Sequence, residues 1–121
     1  MVRVIAAAAV WMAWGAMPAV AQSGTSPAAF ARCSVCHAVS AGKPAGLGPN
    51  LAGVIGRKAG TLPGYTYSPA MKASAIVWSE EQVQRFIANP QGVVKGTKMY
   101  LPGIADAAER AAIVAYLRGL R

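Results

Sequence analysis

Apolar residues spaced three and four positions apart predict an amphipathic helix after Ser79. They lie on one helical face: Val83, Phe86 and Ile87. Ser79 and Gln82 form the S-x-x-Q pattern of a capping box, in which the first side chain bonds a free backbone N–H at the helix start. Asn89-Pro90 should end this helix, because proline disfavours helical backbone in the residue before it.

A second stripe predicts a C-terminal helix. Asp106 and Glu109 repeat the start pattern, and Arg118 and Arg121 stand near the end, where positive charge suits the helix dipole. The apolar residues again share one face: Ile113, Tyr116, Leu117 and Leu120.

Proline and serine mark two further helices. Pro27 behind Ser26 should open an alanine-rich helix from Ala28 to Val39, and Pro69 should open a short one within Ser68 to Val77. No strand pattern is longer than a few residues, so we expect an all-α fold without internal repeats.

Two segments lack helical periodicity, Ala41 to Tyr67 and Gln91 to Gly103. The first holds seven of the 13 glycines and three of the eight prolines in 27 residues. A loop of that length is uncommon in a compact domain. Something other than secondary structure should therefore organise it.

Residues 1–21 are apolar except for Arg3, Gly15 and Pro18 and end in Ala19-Val20-Ala21. This pattern is typical of a signal peptide cleaved after Ala21, which leaves one domain, residues 22–121, in the periplasm. The alternative is an uncleaved membrane anchor, because an uncharged run of 18 residues is close to the length that spans a bilayer.

The signal segment also explains an apolar content of 55% in a chain of 121 residues. Without Arg3 the chain carries 11 basic and four acidic residues, about +7, which favours acidic partners. The basic residues are dispersed and not interleaved with aromatics, which argues against nucleic-acid binding. We expect a monomer without stable membrane insertion.

Both cysteines and the single histidine lie within five residues, Cys33 to His37, as C-x-x-C-H. This is the attachment pattern of c-type haem. Two thiols on one turn can reach the two vinyl groups of a porphyrin edge, while the next residue offers an imidazole to the iron.

Three other interpretations of the cysteine pair have less support from the sequence. A thioredoxin-like dithiol expects a βαβ setting. Tetrahedral zinc needs four ligands, and this cluster offers three. A structural disulfide is compatible with an extracytoplasmic location, but it leaves the long loop without an organiser.

With one histidine, the second axial ligand of the iron must be methionine, lysine or no residue. Met71 falls in the short helix, where methionine usually fills a core. Met99 lies between Gly96 and Pro102-Gly103, where the backbone can approach a flat cofactor. The pattern favours Met99 and leaves Met71 open.

The chain resembles the class I cytochromes c of the bacterial c2 type and mitochondrial-like branch. Matching segments keep their order and spacing over nearly all of residues 22–121: Cys33 to His37, Gly48-Pro49-Asn50-Leu51, Arg57-Lys58, Pro63-Gly64-Tyr65, Trp78, Asn89-Pro90 and Gly96-Thr97-Lys98-Met99. The resemblance implies helices at the two ends of the domain packed together, with long loops around one covalently attached haem c.

The resemblance also implies roles for single residues. Met99 would be the sixth ligand of the iron, opposite His37, and the Pro49 carbonyl would hold the ring N–H of His37. Arg57, Tyr67 and Trp78 would be buried donors near the haem propionates, and Thr97 would contact the haem.

Two positions depart from mitochondrial relatives. Phe86 stands where they commonly have a tyrosine that bonds the methionine sulfur, and Met71 stands where they have an asparagine. We therefore hypothesise that Phe86→Tyr changes the reduction potential.

The resulting prediction is a periplasmic one-electron carrier and not an enzyme. By resemblance Arg32, Lys95 and Lys98 would flank the exposed haem edge and meet acidic redox proteins. The donor would be a quinol:cytochrome c oxidoreductase, and the acceptor a terminal oxidase, a photosynthetic reaction centre or a periplasmic reductase. The alternatives are a subunit dedicated to one periplasmic dehydrogenase and a peroxidase-like or ligand-binding haem c protein.

Overall fold

The computed structural model describes residues 26–121, so the predicted signal peptide lies outside the described residues. These residues form one 3₁₀ turn, Ala28–Phe30, and five helices: α1 (Ala31–Ser34), α2 (Pro69–Ala73), α3 (Glu80–Ala88), α4 (Pro90–Val93) and α5 (Ala107–Arg118). Within this range no strand forms, and a single antiparallel bridge joins Lys58 and Val77. The predicted all-α class is confirmed.

The two amphipathic helices begin where their capping residues predicted. Ser79 accepts a hydrogen bond from the backbone N–H of Gln82 at 3.2 Å, and Asp106 accepts one from Glu109 at 3.0 Å. Both helices also end near the predicted residues. These ends are set by neighbours in sequence, which is why the local pattern was sufficient.

The N-terminal helix is much shorter than predicted, and Ser26 does not cap it. After Ser34 the chain turns, and the backbone N–H groups of Cys36 and His37 both donate to the Cys33 carbonyl. The Cys36 carbonyl accepts from Gly48 at 2.9 Å, so a carbonyl that would continue the helix bonds the long loop instead.

The segment around α2 also differs from the prediction. The helix ends at Ala73, and Ala75 adopts a left-handed backbone with φ of 56°. The backbone from Ile76 to Trp78 then bonds to residues 56–59 of the long loop, with Trp78 N–H donating to the Arg57 carbonyl at 2.9 Å. Long-range pairing therefore replaces the last predicted helical turn.

Helix α4 was not predicted. It follows directly on α3, and the Asn89 side chain caps it by accepting from the Gly92 N–H at 3.0 Å. Four residues containing a glycine carry no periodicity that a sequence pattern could reveal.

Helix α5 packs against α3 and against the N-terminal 3₁₀ turn. The Phe30 and Tyr116 rings meet edge to face with centroids 4.8 Å apart. At the exposed edges, Arg118 pairs with Glu80 at 3.0 Å and Arg32 with Glu109 at 3.2 Å. The two ends of the described chain are thus held together, and none of its helices is long and apolar enough to cross a membrane.

Polar side chains help to organise the long loop. The Asn50 amide is buried and donates to the carbonyls of Ser40 and Lys43 at 2.7 and 3.0 Å, while its oxygen accepts from the Ala52 N–H at 2.8 Å. Arg57 donates to the Asn50 carbonyl at 2.8 Å. Backbone groups that have no ladder thus find side-chain partners.

Candidate haem site

A largely apolar cavity of about 600 Å³ lies between the long loop, α2, α3 and the segment that precedes α5. Its volume falls in the range of small-molecule and cofactor sites, roughly 300–1,000 Å³. Every residue that the sequence nominated for the site lines it: Cys33, Cys36, His37, Pro49, Arg57, Tyr67, Trp78, Thr97 and Met99.

His37 is oriented by the backbone. Its Nδ1 lies 2.7 Å from the Pro49 carbonyl oxygen. Because a carbonyl only accepts, Nδ1 carries the proton, and Nε2 keeps its lone pair for a metal. Burial lowers the pKa of the imidazole, while the bond to Pro49 opposes that shift. The neutral, ligating form is therefore favoured.

Gly48 lies directly against the His37 ring. A Cβ at that position would overlap His37 Cε1 and lie 2.7 Å from Nδ1. The close approach of backbone to imidazole requires glycine, because any side chain would occupy the space of the ring.

Both thiols are free and face the same cavity. Cys33 is buried in the α1 turn, and Cys36 is half-buried after it. Burial raises the pKa of the Cys33 thiol, partly offset by the neighbouring Arg32. The two thiols therefore lie three residues apart on one turn, beside the imidazole.

The structure brings both methionines to the cavity wall. Met71 is buried in α2, and its N–H donates to the Ser68 hydroxyl at 3.1 Å. Met99 is half-buried in the loop after α4, where its N–H lies 3.3 Å from Thr97 Oγ1. Thr97 itself is buried.

The remaining nominated side chains bring polar groups to the cavity wall, where Trp78 and Thr97 are buried and Arg57 and Tyr67 half-buried. Arg57 bonds backbone carbonyls, and burial lowers the pKa of its guanidinium. Tyr67 meets the edge of Tyr65 at 4.8 Å, and Trp78 lies 5.0 Å from the Phe86 ring. Arg57, Tyr67, Trp78 and Thr97 can all donate hydrogen bonds to carboxylates.

Sequence reasoning missed several lining residues, among them Tyr65 and Ser68, and one supporting residue. Tyr65 donates to the Leu47 carbonyl at 3.2 Å, and burial raises the pKa of its phenol. Ser68 is a buried cavity residue as well as the cap of α2. Asn50 supports the loop next to Pro49. The P-G-Y segment and the Ser-Pro start of α2 could have indicated the first two.

These residues fit a covalently bound haem. Two thiols, an oriented imidazole and a thioether surround one apolar cavity that also holds several hydrogen-bond donors. Neither a zinc site nor an acid–base site has this composition. Within residues 26–121 no cluster of three histidine, cysteine or acidic residues could hold a metal ion by itself.

Residues 24–121 match the family model described as Cytochrome c. The chain belongs to the cytochrome c family. Cytochrome c2 iso-2 of Magnetospirillum fulvum is 46% identical over 95 residues, which cover 78% of this chain and 98% of that protein. Cytochrome c2 of Rhodomicrobium vannielii is 36% identical over 116 residues, covering 96% and 91%.

A solved structure, cytochrome cH from Methylobacterium extorquens, superposes with a TM-score of 0.70 at 42% identity, covering 74% of this chain and 90% of that one. The class I cytochrome c fold is thus confirmed. So is haem c as the cofactor, because the family binds it covalently and Cys33 and Cys36 fit the C-x-x-C-H motif. The relatives support a mono-haem electron carrier.

Proposed function

We propose that this cytochrome c is a periplasmic one-electron carrier in which Cys33 and Cys36 hold the haem and His37 and Met99 are the axial ligands. One observation carries the proposal. The bond from His37 to Pro49 leaves Nε2 as the available donor in a cavity whose wall also includes the Met99 thioether.

When bound, the haem supplies an iron that cycles between ferric and ferrous, and His/Met ligation favours electron transfer over reaction with oxygen. The Pro49 carbonyl orients the imidazole and raises its basicity. Apolar walls such as Phe86 and Val83 exclude water. Arg57, Tyr67, Trp78 and Thr97 are the donors available to the propionate carboxylates.

The charge distribution supports acidic redox partners. Three of the four acidic residues pair with arginines, and the fourth, Asp106, caps α5. Within residues 26–121 none of the five lysines pairs with a carboxylate. The excess positive charge therefore comes mainly from lysines, and it steers association with negatively charged proteins.

The mouth of the cavity also presents apolar surface. Tyr100 is 96% exposed and Leu47 79%, and both line the cavity. Lys98, two residues before Tyr100 in the chain, also lines the cavity. An aromatic group beside cations suits a partner with an apolar centre and a carboxylate rim. We propose a quinol:cytochrome c oxidoreductase as donor and a terminal oxidase, reaction centre or periplasmic reductase as acceptor.

The location rests on the sequence. Residues 1–21 have the pattern of a signal peptide with cleavage after Ala21. Residues 22–121 would then be the exported domain. Mass spectrometry of the protein from periplasmic extract should show a mature chain that begins at Gln22.

The absorption spectrum of the ferric protein tests the ligand set. A weak methionine–iron charge-transfer band at the red end is expected, and Met99→Ala should abolish it. Met71→Leu is the matched control, since Met71 lines the same cavity, and it should keep the band. A high-spin ferric spectrum, or loss of the band in Met71→Leu alone, would overturn the assignment.

A further inference from the structure

The side chain of Gln91 bridges two backbone groups of the loop that carries Met99. Its Nε2 donates to the Thr97 carbonyl at 3.0 Å, and its Oε1 accepts from the Gly96 N–H at 3.1 Å. The nitrogen and the oxygen of one side-chain amide therefore hydrogen-bond two consecutive residues. Such a two-point contact fixes the path of the backbone more firmly than either bond alone.

The base of this bridge is itself held in place. Gln91 is the second residue of α4, which begins at Pro90 and is capped by the Asn89 side chain. Pro90 is buried, and the Val94 N–H donates back to its carbonyl at 2.9 Å. The amide of Gln91 thus projects from a short rigid turn onto the loop.

The loop has few other restraints. Gly96 has a left-handed backbone with φ of 93°, and Thr97 N–H bonds Val94 at 3.0 Å. On the other side, Lys98 Nζ donates to the Thr66 carbonyl at 2.8 Å. Gln91 supplies two of the bonds that hold residues 96–99 against the cavity.

We propose that Gln91 is a positioning residue that clamps the Met99 loop and sets how readily an external ligand displaces Met99. The inference rests on the proposed function, because it takes Met99 as an iron ligand. With Met99 as the ligand, an imidazole molecule would have to displace this loop in order to bind in its place. Opening the loop breaks both bonds of the Gln91 amide.

The chemistry of the amide allows the clamp to be dissected. Glutamine donates and accepts at once. Gln91→Glu keeps an acceptor for the Gly96 N–H but cannot donate to the Thr97 carbonyl. Gln91→Ala removes both contacts. Gln84→Ala is the matched control, because Gln84 lies on α3 and does not line the cavity.

The test uses the ferric holoprotein with two readouts. One is the rate at which imidazole abolishes the methionine–iron band, and the other is the hydrogen-exchange rate of the Gly96 amide. A net hydrogen bond changes an equilibrium by roughly two- to tenfold. Gln91→Ala should therefore raise both rates about five- to tenfold, Gln91→Glu less, and Gln84→Ala not at all.

Hydrogen exchange at core amides separates a clamp from a general loss of stability. Gln91→Ala should accelerate exchange at Gly96 far more than at core amides such as Ile113. Equal acceleration at both sites would overturn the clamp, as would unchanged rates in Gln91→Ala when the wild type shows the methionine–iron band. Absence of that band from the wild type would refute the ligand assignment of the proposed function, and the clamp with it.

Discussion

The imidazole of His37 is held by the carbonyl of Pro49, 12 residues further along the chain, through a hydrogen bond of 2.7 Å. Gly48, the residue before that proline, lies directly against the same ring. One short stretch of loop therefore decides both the protonation pattern and the position of the imidazole. Asn50, the next residue, donates through its side chain to the Ser40 carbonyl, and its own carbonyl accepts a hydrogen bond from Arg57.

Gly48→Ala should displace the His37 ring, because the added methyl would overlap it. We expect a loss of about 1–3 kcal/mol in the free energy of unfolding, as for overpacking in a core, and a changed ferric spectrum. Denaturant unfolding of the holoprotein measures the first. Gly119→Ala is the control, since its methyl would find its nearest neighbour at 3.5 Å. Equal stability of the two variants would contradict the prediction.

Phe86→Tyr should change the reduction potential. Phe86 is buried at the cavity wall beside Trp78, so the new hydroxyl enters a dry site where it can bond a sulfur ligand. A hydrogen bond of about 1 kcal/mol corresponds to about 40 mV for one electron. The bond to sulfur and the added polarity oppose each other, so the predicted quantity is the size of the shift and not its sign.

A redox titration measures the effect of Phe86→Tyr. Tyr116→Phe alters a hydroxyl on a ring that does not line the cavity, and it should leave the potential unchanged. Identical midpoints for Phe86→Tyr and the wild type would show that the site tolerates the hydroxyl without consequence.

Glu109→Gln should speed reduction by an acidic partner at low salt. Glu109 pairs with Arg32 at 3.2 Å, and Arg32 lines the cavity. Removing the carboxylate exposes that charge near the mouth. Glu81→Gln changes the net charge equally but frees Arg85 on α3, so it should have a smaller effect.

Stopped-flow reduction by purified quinol:cytochrome c oxidoreductase checks this charge effect. The difference between Glu109→Gln and Glu81→Gln should vanish at high salt, where the Debye length falls to about 3 Å. Both pairs are exposed, so each variant should lose less than about 1 kcal/mol of stability. Equal rates at low salt would place the docking face elsewhere.

Tyr100→Ala should lower the second-order rate constant with the same oxidoreductase, by about five- to tenfold if Tyr100 is a buried anchor in the complex. Tyr100→Phe should retain most of the rate, because the ring and not the hydroxyl supplies the contact. Val77→Ala removes another exposed apolar side chain, 53% exposed and outside the cavity lining, and should be neutral. Reduction by ascorbate should be the same in all four proteins, and a uniform rate with the enzyme would refute the anchor.

Local patterns predicted those parts of the fold that depend on neighbours in sequence. Helices α3 and α5 begin directly after Ser79 and Asp106, because each of these side chains caps a backbone N–H only three residues further on. The N-terminal helix is shorter than predicted because the Cys36 carbonyl accepts a bond from Gly48, a distant contact that the local pattern could not reveal. No sequence pattern predicted helix α4, because its four residues show no hydrophobic periodicity and depend on the Asn89 cap.

The cofactor class follows from local sequence, because five consecutive residues, Cys33 to His37, carry both thiols and the imidazole. The fold family follows from the matching segments that keep their order and spacing over residues 22–121. The folded chain was needed for the contacts that the sequence had not predicted. It brought Met71 and Met99 to one cavity, paired Arg32 with Glu109, exposed Tyr100 and set the Gln91 amide on the Met99 loop. Chain spacing cannot specify such contacts, because they depend on how distant segments pack to cover the apolar cavity.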